Sequence, residues 1–317
     1  MSKHIFFSVL VTLFSFVAAT ARTLEPNCTL KLYPQGQNVD LGIVENGVAV
    51  TQGPLESNGW TGSLVNTVGR PEVYDHVADG AYMDIYIPKK CNGQMVVVCP
   101  GGAYWNVCAK YEGNTVAEWF GERGIATCVL IYRLPNHHNR VPLQDVQNAF
   151  RYCRYHAEEW GVKQIGVMGF SAGGHLAASA STLYVDDVTR PDFSILVYPV
   201  ITFEEFVTHG GTRNNLLPEK QTKELVEYYS LENRVNANTP PAILVHCADD
   251  GAVLPENSIR YYQAMRKYGV PGELHILSSG GHGWGFPREG GSLPKGERED
   301  MYRTLTRWLE YRQAEIK

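Results

Sequence analysis

From Gln94 onward the chain alternates between two hydrophobic rhythms. Short apolar runs of strand length occur at Met95–Cys99, Ala126–Tyr132, Ile165–Gly169, Phe193–Tyr198 and Ala242–Cys247. A shorter alternating run follows at Glu273–Leu277. Between them lie longer stretches at Thr115–Arg123, Pro142–Trp160, Gly174–Ala180, Pro255–Tyr268 and Arg298–Tyr311, whose patterns predict helices. Strands that are apolar at almost every position must be covered on both faces. This βα rhythm therefore predicts an α/β domain with a mostly parallel central sheet and helices on both sides. Ala81–Pro88 alternates with period two and predicts the strand that opens the main sheet.

Two regions break the rhythm. Residues 22–80 are rich in glycine, asparagine and turn signals, with short alternating runs at Gly42–Val44 and Val48–Val50. They predict an antiparallel, strand-rich arm beside a catalytic domain over residues 81–317. Residues 202–238 are polar and helix-prone, an insertion expected to shape a pocket. The first residues read as a leader: Lys3 gives a basic start, Ile5–Val17 is apolar, and Ala19-Thr20-Ala21 fits a small-x-small cleavage site. Residues 1–21 are expected to be a signal peptide, and the mature protein periplasmic or secreted. No later run approaches the roughly 18 apolar residues of a spanning helix, so no membrane association is expected after cleavage.

Composition narrows the function classes. The chain has 317 residues, 44% of them hydrophobic, and a net charge of −5 with its basic residues scattered. Nothing in that balance suggests a nucleic-acid partner. The seven cysteines are odd in number, and Cys99, Cys128 and Cys247 sit in strand-like runs, which argues against a disulfide framework.

Candidate chemistry centres on Gly169-Phe170-Ser171-Ala172-Gly173. A strand before and a helix after make this a nucleophile elbow, in which Ser171 sits on a strained turn and glycines admit the crossing backbone. A serine needs a base and an orienting acid, which follow it in chain order on this architecture. His282, within Gly280-Gly281-His282-Gly283, is the expected base. The strand-like run ending at Cys247 leads to two neighbouring carboxylates, Asp249 and Asp250, as candidate acids. The other histidines fit less well: His246 reads as a core residue, His175 lies on the helix after the elbow, and His137-His138 lacks further ligands at metal-site spacing. No metal site is expected. An oxyanion would meet the Ala172 amide and an amide of Gly102 or Ala103, in the turn after the Met95–Cys99 strand. Tyr104, Trp105 and Trp284 flank these loops and are candidates for stacking against a sugar ring.

Pro100-Gly101-Gly102, Tyr132-Arg133-Leu134-Pro135, the elbow, His209–Leu217, Thr239-Pro240-Pro241, Glu256-Asn257-Ser258 and Gly280–Gly283 together resemble the secreted acetyl xylan esterases. These, with the related feruloyl esterases, are α/β-hydrolases of polysaccharide-degrading bacteria. The resemblance covers roughly residues 80–310. It implies an α/β-hydrolase fold, a Ser171–His282–Asp250 triad, and a plant cell-wall polysaccharide or oligosaccharide as substrate. It also implies release of O-acetyl groups with no cofactor. The family spacing before Glu256-Asn257-Ser258 selects Asp250 over Asp249. Ala103 stands where a third glycine is usual. Its methyl, with Tyr104 and Trp105, is expected to crowd the acyl group and favour acetyl over longer chains.

Overall fold

Eight strands lie side by side in one sheet, and all but one of them run in the same direction. In the computed structural model, residues 28–32, 39–45, 48–52, 81–286 and 291–316 are described. The expected signal peptide and most of the 22–80 arm fall outside them. The strands are β1 (Cys28–Lys31), β2 (Val39–Glu45), β3 (Val48–Gln52), β4 (Tyr82–Tyr86), β5 (Gln94–Cys99), β6 (Ala126–Ile131), β7 (Gln164–Phe170), β8 (Ser194–Val197), β9 (Ala242–Cys247) and β10 (Gly272–Leu277). The main sheet has the order β1-β4-β6-β5-β7-β8-β9-β10, while β2 and β3 pair as a separate antiparallel hairpin. Strands β5 to β9 are buried at every position, which is why their sequences read as unbroken apolar runs.

The sheet opens earlier than expected. β1 pairs antiparallel with β4, so the edge strand begins at Cys28 rather than at Ala81. Leu30 and Leu32 are buried, and the Thr29 hydroxyl donates to Asp84 Oδ1 at 2.5 Å. Four residues are too few for a period-two pattern to stand out from their polar surroundings.

The helices are α1 (Thr115–Gly121), α2 (Val141–Tyr155), α3 (Ser171–Thr182), α4 (Gly210–Leu216), α5 (Lys223–Tyr229), α6 (Glu256–Lys267) and α7 (Lys295–Gln313). α2 ends five residues before the expected Trp160. The apolar spacing persists past its end because His156 stacks on Trp160 at 5.2 Å in the following turns, an arrangement that mimics helical periodicity. α4 and α5 occupy the 202–238 insertion, as its helix-prone sequence predicts.

Sheet order decides where chemistry can occur. The chain passes from β5 outward to β6 and then returns inward, placing β7 against the other side of β5. At such a reversal the loops leaving the strand ends diverge and open a crevice. The loop after β5 and the elbow after β7 therefore lie next to each other. Because β9 and β10 run parallel to them, the loops after those strands reach the same sheet edge.

Candidate active site

The elbow is as tight as its glycines suggest. Ser171 has φ +52°, a left-handed conformation costly for a residue with a side chain. A Cβ on Gly169 would fall 2.1 Å from the Gly173 carbonyl oxygen, and one on Gly173 would fall 2.1 Å from the Cys99 carbonyl oxygen. Any side chain at either place would push α3 off β5 and β7. α3 has no side-chain N-cap, so its first amides, Ala172 among them, keep no intrahelical acceptor. The helix dipole adds partial positive charge at that point.

His282 reaches Ser171 from the loop after β10. Its Nδ1 lies 2.7 Å from Asp250 Oδ2 and its Nε2 lies 2.9 Å from Ser171 Oγ. An ionised carboxylate can only accept, so Nδ1 carries the proton and Nε2 accepts the serine hydroxyl. This arrangement can take up the hydroxyl proton as Ser171 attacks an acyl carbon.

The two aspartates have different partners. Asp250 is buried and Asp249 is exposed. Asp250 Oδ1 accepts from the amides of Ala252 and Val253 at 3.0 and 2.9 Å. His246 approaches Asp250 Oδ2 at 3.2 Å from the side away from solvent. Burial alone would raise the Asp250 pKa, but hydrogen bonds from His246, His282 and Val253 hold it well below the usual carboxylate range. Asp250 thereby also caps the turn that follows the pair. Asp249 reaches across to accept from Gly280 and Gly281 at 3.2 and 2.8 Å, and so fixes the loop that carries His282.

The loop after β5 is packed directly on the elbow, since a Cβ on Gly101 would lie 3.0 Å from Ser171 Cβ. The Gly101 carbonyl accepts from Cys108, and the Gly102 carbonyl from Trp105 and Asn106. In a planar trans peptide the N–H points opposite to the C=O. The Gly102 and Ala103 amides therefore turn away from the loop's own backbone. Ala103 and Tyr104 both have left-handed φ, at +56° and +57°.

The flanking aromatics divide. Trp105 is 68% exposed, whereas Tyr104 is 2% and Trp284 4% exposed. Tyr104 points into the core, packed edge-on against Tyr132 and His175, and Trp284 packs edge-on against Tyr198. Neither presents a face to a sugar, which corrects the expectation for both. Tyr104 runs into the core and Trp105 faces solvent, so the expected crowding of the acyl group rests on the Ala103 methyl alone.

One buried group near the site has no signal in the sequence. Glu112, in a single π-helical turn at Lys110–Asn114, accepts from the Gly101 amide at 2.6 Å and from the Tyr198 hydroxyl at 2.7 Å. Tyr198 Oη in turn accepts from the Gly285 amide at 3.0 Å. One carboxyl group thus ties the loop after β5 to the histidine loop. Burial raises its pKa, opposed by the Tyr198 and Gly101 hydrogen bonds and by the charge of His282. A lone glutamate in a polar run gives no sequence signal for this. His246 is a satisfied core residue as expected, with Ser258 at 2.8 Å on Nδ1 and the Val253 carbonyl at 2.8 Å on Nε2, but it also supports the acid.

His175 is structural and carries a pH signature. It stacks on Phe203 at 4.5 Å, and its Nε2 donates to the Tyr229 carbonyl at 2.9 Å, so Nδ1 accepts from the Tyr104 hydroxyl at 3.1 Å. Burial lowers its pKa to about 4, partly opposed by the bond to Tyr229. The unfolded chain therefore binds a proton between about pH 6.5 and 4 that the folded protein refuses. Stability is full above that window and falls as the pH drops through it, by up to about 3 kcal/mol. His175→Gln, which can donate and accept in the same places, should lose less stability between pH 7.5 and 4.5 in urea melts. An unchanged difference would show that other groups set the acid lability.

A family model, BD-FAE, matches residues 83–265, more than half of the chain. The chain belongs to the BD-FAE family. The matched span includes Ser171 and Asp250 and stops short of His282, whose place follows from the geometry above. An acetylxylan esterase of Xylanibacter ruminicola is 40% identical over 212 residues, covering 65% of this chain and 44% of that protein. The endo-1,4-beta-xylanase B of Butyrivibrio fibrisolvens is 35% identical over 207 residues, covering 59% of this chain and 32% of that protein. This BD-FAE chain thus spans less than half the length of either relative. The crystal structure of an acetyl ester-xyloside bifunctional hydrolase from Caldicellulosiruptor lactoaceticus superposes with a TM-score of 0.70 at 28% identity. It covers 92% of this chain and 98% of that one. With the strand order above, this makes the fold an α/β-hydrolase. Among the described residues no cluster of three or more His, Cys, Asp or Glu could hold a metal ion, and six cysteines, Cys91 to Cys247, are free.

Proposed function

We propose that this chain is a serine carboxylesterase that removes O-acetyl groups from hemicellulose, acting on acetylated xylan or xylo-oligosaccharides. The observation that carries the reading is the hydrogen-bonded chain from Ser171 through His282 to Asp250. His282 takes the Ser171 proton as Oγ bonds to the acetyl carbon. The carbonyl oxygen gains charge and is held by the amides of Ala172 and of Gly102 or Ala103. Each such donor contributes on the order of 3 kcal/mol. His282 then protonates the sugar oxygen, which leaves, and the acetyl group stays on Ser171. Water, deprotonated by His282, releases acetate and restores the hydroxyl. A leader at residues 1–21 fits an enzyme that meets polysaccharide outside the cytoplasm.

The acetyl group and the xylan backbone are supported by the names of the Xylanibacter and Caldicellulosiruptor relatives. The test is NMR of acetylated xylo-oligosaccharides before and after treatment, beside methyl ferulate. Loss of O-acetyl signals with free acetate is the expected result. Ferulate release without acetate release would move the chain to the feruloyl esterases, and no turnover of either by folded protein would leave a carbohydrate-binding protein.

Within this reading Trp105 is the sugar platform, because it alone of the three aromatics has an open face. Trp105→Ala should raise KM for an acetylated xylo-oligosaccharide about three- to tenfold, as expected for one aromatic contact. Its kcat should move far less. An unaltered KM would remove Trp105 from the sugar side.

A further inference from the structure

The insertion between β8 and β9 is anchored on both sides of the elbow. On one side, Asn257 at the start of α6 accepts from the amides of Ile201 and Thr202 at 2.9 and 3.0 Å, and donates to the Val207 carbonyl at 3.2 Å. Asn257 also donates to the Leu254 carbonyl, four residues past Asp250, so this anchor belongs to the acid loop after β9. On the other side, Asn215 donates to the Ala103 carbonyl at 2.9 Å, in the loop after β5. In the sheet β5 and β9 flank the β7–β8 pair from opposite sides. The segment 208–214 therefore crosses the C-terminal edge of the sheet above the strand that presents Ser171.

His209 lies on that crossing. Its Nδ1 accepts from the Thr212 amide at 3.2 Å and lies 2.8 Å from the Thr212 hydroxyl, closing the N-terminus of α4. A nitrogen that accepts from a backbone amide carries no proton, so the neutral ring holds its proton on Nε2. The half-buried ring also lies within electrostatic reach of the triad: burial lowers its pKa, the charge of His282 lowers it further, and Asp250 opposes both. A neutral imidazole donor is thus fixed on the crossing segment near the triad, in an element that the triad mechanism does not use.

We propose that His209 is a specificity-determining residue that donates Nε2–H to a hydroxyl of the sugar bearing the ester, so that the site prefers acetyl groups with a free neighbouring hydroxyl. The proposal rests on the carbohydrate-esterase reading. It differs from the stacking role of Trp105, because a donor reads the hydroxyl pattern of the sugar whereas a flat ring reads its face. A hydroxyl can replace the histidine as a helix cap without replacing the donor, since serine is a preferred N-cap residue.

The experiment compares wild type, His209→Ser and His209→Gln on an acetylated xylo-oligosaccharide, on its analogue lacking the neighbouring hydroxyl, and on p-nitrophenyl acetate. For His209→Ser the ratio of kcat/KM on the sugar ester to that on the nitrophenyl ester should fall about tenfold. Wild type should lose a similar factor on the deoxy analogue, and the serine variant should no longer distinguish the two sugars, the mark of a direct pair. His209→Gln, whose amide can donate, should recover part of the ratio. An unchanged ratio overturns the proposal, and so does a serine variant that still distinguishes the deoxy analogue by the full factor. Equal losses on sugar and nitrophenyl esters also overturn it, because His209 would then act through the triad. Wild type that hydrolyses the nitrophenyl ester but neither sugar refutes the carbohydrate reading instead, and the proposal with it.

Discussion

Replacing Ser171 by alanine should lower kcat for p-nitrophenyl acetate by about 10⁴-fold or more while the protein stays folded. The substitution removes Oγ, the atom 2.9 Å from His282 Nε2 that this base would activate, and leaves the Ala172, Gly102 and Ala103 amides in place. What remains is binding and oxyanion stabilisation around an unactivated water, which sets the size of the loss. Alanine also tolerates φ +52° no better than serine, so strain at the elbow is unchanged and a stability loss cannot imitate the effect. Phenylmethylsulfonyl fluoride should add its sulfonyl group to Ser171 alone, read by peptide mass. Activity within tenfold of wild type, or label on another serine, would place the nucleophile elsewhere.

The second large effect separates two neighbours. Asp250→Asn should reduce kcat by about 10⁴-fold and Asp249→Asn by less than about tenfold. Asparagine at 250 must choose. If its oxygen keeps the amides of Ala252 and Val253, its NH₂ faces His282 Nδ1 and His246 Nε2. Nδ1 must then accept, the ring proton moves to Nε2, and the base can no longer receive the serine proton. Turned the other way, the NH₂ opposes two backbone N–H groups in a buried place. Asparagine at 249 keeps one acceptor for the Gly280–Gly281 turn and loses one exposed hydrogen bond, which loosens the histidine loop without altering its tautomer. Steady-state kinetics of the two variants side by side decide the matter. Equal losses or the reverse order would exchange the roles of the neighbours.

Hydrophobic periodicity located β5, β6, β7, β8 and β9 to within a residue or two, because a strand buried on both faces has to be apolar at almost every position. The elbow was legible for a related reason. Gly169 and Gly173 answer to local backbone contacts, so their spacing around Ser171 survives in one dimension. β1 was not legible, since four residues at a sheet edge need only a partner strand, and that partner, β4, lies more than fifty residues away.

At the site, residue types and chain order singled out Ser171 and His282 and narrowed the acid to two adjacent carboxylates. Their roles depend on what each side chain faces. Asp250 turns inward to His282 and His246, Asp249 turns outward to the histidine loop, and neighbours in sequence point in different directions for reasons of tertiary packing. The same holds for the aromatics: Tyr104 and Trp105 are adjacent, yet one is core and the other surface. Glu112, Asn215 and Asn257 join segments from about ten to more than a hundred residues apart, and no local pattern records such pairings. The sequence by itself therefore determined the layer architecture and the elbow, both of which rest on periodicity and short-range backbone contacts. Only the tertiary structure decided which acid meets the base, which aromatic meets solvent and which loops hold the cleft, because those depend on contacts that close across the sheet.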